Sequence, residues 1–133
     1  MKILIQSFLI SFIGVFVIDY FSHLSFSVPM ETIPYFIAKS VLYFIFSIAF
    51  LSYTDLTKKE FTKVLIGGVA VSLIFGTYYN ILPAIFDFYP VGIPLHGLTF
   101  LGMGLFETGF AFGTVHTLAF IGGYYSSKFL IKT

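Results

Sequence analysis

The residues of this sequence that could do chemistry are few, and they are set in long apolar runs. Asp19 and His23 stand four residues apart, which puts both on one face of a helix. Lys39 lies between Tyr35 and Tyr43 at the same spacing. Asn80 follows Thr77, Tyr78 and Tyr79, while Glu107 and His116 fall in the last apolar tract. Asp87 and His96 occupy the stretch between Asn80 and Glu107. Carboxylates, an ammonium and imidazoles of this kind can bind a small solute or an ion, or pass a proton.

Other chemistries find less support. Metal ligation needs convergent ligands, and no HExxH, HxxxH or acidic pair at helical spacing joins the histidines and carboxylates. His116 is nine residues from Glu107, about 180° around an ideal helix, so the two do not share a face. No GxSxG surrounds a serine, and the glycines of GGVA, GMG and GGYY do not form a phosphate-binding loop after a strand. Without Cys there is no disulfide, thiolate site or redox dithiol. Without Arg there is no bidentate guanidinium for carboxylate or phosphate. No catalytic residue, metal or cofactor is therefore assigned, and an enzyme acting at the outer interface ranks behind the other readings.

The elements that must carry these residues follow from composition. The chain has 133 residues, of which 58% are hydrophobic and only 10% charged, and its mean hydropathy is +0.99. A soluble domain carries about a quarter of its residues charged, so this chain is read as an integral membrane protein and not as a nucleic-acid binder. A bilayer core about 30 Å thick needs about 20 apolar residues of helix. Candidate spans cover residues 3–22, 34–53, 63–80 and 104–127, with Pro34 suited to a helix's first turn. A cleavable signal peptide is the rival reading of the first, but its apolar run is long and Asp19 precedes any small-residue cleavage site.

Lysines fix the parity. Lys2, Lys58, Lys59, Lys63, Lys128 and Lys132 all fall on one side if there are four spans, as the positive-inside rule requires. The expected fold is one all-α domain, 1–133, forming a four-helix transmembrane bundle in the cell membrane with both termini cytoplasmic. Pro83, Pro90 and Pro94 interrupt the approach to the fourth span, so 94–103 reads as an outer interfacial or re-entrant segment.

In lipid, small residues supply helix contacts. Gly68, Ser72 and Gly76 form one such stripe, Gly109 and Gly113 a second, and Ser7, Ser11 and Gly14 a third. These serve packing within the bundle or, for the first two stripes, association of identical copies. Nearly all the ionisable groups fall in the outer halves of the spans. An outward-facing polar pocket of Asp19, Lys39, Asn80 and Glu107 is one expectation, with His116 deepest of all. The other is that Lys39 reaches the interface or pairs with Asp19 or Glu107, and that His116 bonds to a neighbouring Ser, Thr or carbonyl. The functional readings are a carrier or channel protomer handling a small solute or ion, and an accessory or assembly subunit of a larger membrane complex.

Overall fold

The computed structural model describes residues 1–26, 33–76 and 113–131. Asn80, Asp87, His96, Glu107, Gly109 and the segment 94–103 lie outside them. The described residues are all-α, with four helices and no strand among them: α1 (Lys2–Phe26), α2 (Ile33–Tyr53), α3 (Glu60–Gly76) and α4 (Gly113–Leu130). Two of the helices, over Lys2–Phe21 and Phe36–Tyr53, are long and apolar enough to cross a membrane. The described part of α3 has 17 residues, about 25 Å of helix at 1.5 Å per residue, and α4 carries His116 and Lys128 among its apolar residues.

The start of α3 is built locally. The Asp55 carboxylate accepts hydrogen bonds from the Thr57 amide (2.9 Å) and hydroxyl (2.6 Å), closing a turn across Asp55-Leu56-Thr57. Lys63 Nζ donates to the Asp55 carbonyl oxygen, tying the first turn of the helix back to the loop. Lys59 adopts a left-handed conformation (φ 52°), and its carbonyl already accepts from the Lys63 amide. Glu60 then places a negative charge at the positive end of the helix dipole. These contacts start α3 at Glu60, three residues ahead of the expected 63.

Named contacts give the helix directions. Glu60 meets Lys128 at one end of α3, and Gly68 meets Thr117 further along, so α3 and α4 are antiparallel. A Cβ on Gly14 would touch the Ala119 carbonyl and one on Gly123 would touch Ile10, so α1 and α4 are antiparallel too. On α2, Tyr43 reaches His116 while Phe46 and Phe50 pack edge-on against Phe120, so α2 and α4 run the same way. Helices α1 and α4 are the hubs: α1 lies on both α2 and α4, α3 lies on α4, and α2 meets α3 through side chains, Tyr43 on Phe75 and the Phe50 ring over Gly67.

Small residues permit this closeness. Ser7, Ser11 and Gly14 form the buried stripe of α1. Gly68 and Ser72 are buried within the chain, and a Cβ on Gly68 would lie 3.1 Å from Thr117 backbone atoms. The tightest backbone approach on α4 falls at Gly123, where an added Cβ would stand 2.9 Å from the Ile10 carbonyl oxygen. Ser11, Ser72 and Ser127 donate to carbonyls three residues back, so their hydroxyls are satisfied within their own helices.

Candidate functional site

The buried face of α2 carries Lys39, Tyr43 and Ser47, one helical turn apart from each other. All three are buried: Lys39 is 6% exposed, Tyr43 and Ser47 not at all. Helix α4 brings His116, 1% exposed, onto Tyr43, with 2.7 Å between the phenol oxygen and Nδ1. The direction of that hydrogen bond follows the imidazole tautomer. Phe75 of α3 completes a three-ring cluster, 5.0 Å from Tyr43 and 5.3 Å from His116 between centroids. Three helices thus converge on one imidazole–phenol pair.

Lys39 stands one turn before Tyr43, the residue bonded to His116. Asp19 is 7% exposed on α1, and Asp19, Lys39, His23 and His116 are all engaged by neighbours. Ser47 adds a buried hydroxyl with no hydrogen-bond partner among the described residues. Removing an ionisable group from water is costly, so each buried one must be balanced by neighbours or used. A phenol bonded to an imidazole can pass a proton between two neutral groups, and a hydroxyl beside it can ligate a water or an ion.

Of the residues singled out by sequence, Lys39 and His116 are brought together and Asp19 is buried. Asn80 and Glu107 belong to the undescribed segment. The partner of His116 is a tyrosine of another helix, where a neighbouring Ser, Thr or carbonyl was expected. Among the described residues, no three of His, Asp and Glu are grouped as a metal site would require.

A second polar cluster forms where α3 begins and α4 ends. Glu60 Oε1 accepts from Lys128 Nζ (2.6 Å) and from the Tyr124 hydroxyl (2.7 Å). The bond from Lys128, and then that from Tyr124, holds the Glu60 carboxyl below its usual range. In the connecting loop the Thr57 hydroxyl and then its amide do the same for Asp55. Sequence reasoning missed the Glu60 cluster, because Lys128 reads as a topology determinant and Glu60 as part of a solvated connector. The signal available was opposite charge at the ends of two helices that must meet if the bundle has four spans.

Compared with known proteins, the chain matches no family model, no curated protein and no solved structure.

Proposed function

We propose that this chain is a multi-pass membrane protein of four spans that handles a small solute or ion at a polar site within its bundle. Both termini face the cytoplasm in this reading. Asp19, Lys39, Tyr43 and His116 form the site, open toward the outer side, with Asn80 and Glu107 contributing from the remaining segment. The observation that carries the proposal is burial: an ammonium, a carboxyl and an imidazole–phenol pair lie inside a bundle whose other buried polar groups, among the described residues, are serine hydroxyls. Ionisable groups at membrane depth mark a functional site by default, because a purely structural helix contact is cheaper to build from small or apolar residues. The alternating helix directions support four crossings, and the unpartnered Ser47 hydroxyl supports a ligand beside Tyr43.

The test is flux. Full-length protein in liposomes is expected to dissipate an imposed proton or potassium gradient, and folded Lys39→Gln and His116→Phe proteins are expected to lose that activity. Rates equal to empty liposomes, or unchanged in both variants, overturn the reading. The alternative is an accessory subunit of a larger membrane complex. What favours it is α2, of which only 17% of the Phe36–Tyr53 window is buried within the chain, leaving a long face for another protein. That reading predicts that the chain made alone is degraded.

A further inference from the structure

The seam between α1 and α4 carries two hollows of opposite character. One, about 140 Å³, is lined by Lys2, Gln6, Tyr124, Lys128 and Ile131. Four of those five side chains end in polar groups, two of them ammonium. The other is an open groove of about 520 Å³ lined by Ile13, Tyr125, Ser126, Phe129 and Leu130. Gln6 and Ile13 are seven residues apart, so they share one flank of α1, about 10 Å from each other along its axis. On α4, Tyr124 and Lys128 form one column and Tyr125 and Phe129 the adjacent one. On α4 the two linings share the same last turns, so the polar hollow and the apolar groove lie side by side there, and on α1 the groove reaches deeper, to Ile13.

We infer that this seam seats one anionic phospholipid, its phosphate held by Lys2, Gln6 and Lys128 and an acyl chain laid against Ile13, Tyr125 and Phe129. Lys128 gives one of its three N–H groups to Glu60 and keeps two for a phosphate. Glu60 offsets one ammonium and leaves this group of side chains one positive charge in excess. The Tyr124 hydroxyl spends its proton on Glu60, which fixes the wall of the hollow and leaves Gln6 to supply the neutral donor. Charge complementarity selects an anionic headgroup over a zwitterionic one, and the apolar groove selects a lipid over a free anion. The inference rests on α1 and α4 crossing the membrane, and it is independent of any flux through the bundle.

The experiment is native mass spectrometry of the full-length protein in mild detergent, offered phosphatidylglycerol or phosphatidylcholine with the same acyl chains. One phosphatidylglycerol is expected to stay bound, with retention about fivefold higher for each lysine that contributes. Lys2→Gln with Gln6→Ala should lower the retention of phosphatidylglycerol at least about fivefold, leaving the share held by Lys128. Lys58→Gln with Lys59→Gln, which removes more charge from the loop beside Glu60 but none from the lining of the hollow, should leave it unchanged. Equal losses in both double variants would show diffuse attraction and overturn the seat. So would equal retention of dihexanoyl and dioleoyl phosphatidylglycerol, or displacement of the lipid by inorganic phosphate, since either marks a site for the free anion. Each variant's melting profile identifies one that fails to fold, and the single Lys2→Gln protein then replaces the pair. Release of the chain from membranes by alkaline carbonate would defeat the spanning reading itself, a different failure from loss of lipid preference.

Discussion

Two buried tyrosines make hydrogen bonds of equal length, one to a buried partner and one to a partly exposed one. Tyr43 Oη lies 2.7 Å from His116 Nδ1 between residues that are 0% and 1% exposed. Tyr124 donates over the same 2.7 Å to Glu60, whose side chain is 28% exposed and whose other partner, Lys128, is 54% exposed. Water can replace the partners of Glu60 if the cluster opens. Tyr43 and His116 are closed off from solvent when the site holds no solute, so a group left alone there keeps most of its desolvation cost. Identical geometry therefore predicts unequal energetics, and the inequality is measurable.

The largest effects belong to the buried pair. Tyr43→Phe keeps the ring and strands the imidazole nitrogen, for an expected loss of about 1–3 kcal/mol. His116→Phe strands the phenol and should cost a similar amount. Their combination leaves neither group unsatisfied, so the double variant should lose clearly less than the sum. Detergent unfolding followed by far-ultraviolet circular dichroism reads all four proteins. Additive losses would mean that the bond contributes nothing of its own and would break the comparison at its stronger end.

Smaller effects are expected at the interfacial cluster. Lys128→Gln should cost up to about 1 kcal/mol, because exposed ion pairs are screened and entropically expensive to hold, and Tyr124→Phe about as much, because Glu60 is partly exposed and water can replace the lost donor. The pH dependence has a defined sign. Folding lowers the Glu60 carboxyl from its ordinary value of 4.5, so its contribution is complete above that value. It is lost as pH falls through the lower folded value. Wild-type protein should therefore lose more stability than Glu60→Gln when acidified from about pH 6 to about pH 3. Equal losses would show that the cluster does not sense protonation and would erase its difference from a neutral contact.

The sequence made the helices legible because each rests on a local property: long apolar runs, lysines at their ends, and a prolyl first turn at Pro34. The stripe Ser7, Ser11, Gly14 was legible for the same reason, since periodicity alone puts it on one face. What could not be read were pairings between helices. Tyr43 and His116 are 73 residues apart, and nothing near either names the other. Lys39, by contrast, announces itself as a charge within an apolar run, but whether it is buried or reaches the interface depends on which face of α2 meets α4. Of the two adjacent glycines Gly122 and Gly123, only Gly123 comes close to the α1 backbone. Spacing shows which residues could touch, and shape decides which do.

The adjacent glycines of α4 give the smallest effect and calibrate the others. Gly122 and Gly123 are indistinguishable as letters, but a Cβ on Gly122 meets nothing within 4 Å while one on Gly123 meets the Ile10 carbonyl. Gly122 also stands between the two tyrosine sites on the same helix, six residues after His116 and two before Tyr124. Gly122→Ala touches neither bond and exchanges a poor helix former for the best, for an expected gain of no more than about 1 kcal/mol. The same unfolding measurement applies. A loss at Gly122 as large as that of Tyr43→Phe would mean that the backbone of α4, and not the hydroxyl bonds it carries, sets the stability of both ends. The unequal tyrosines would then be one effect seen twice.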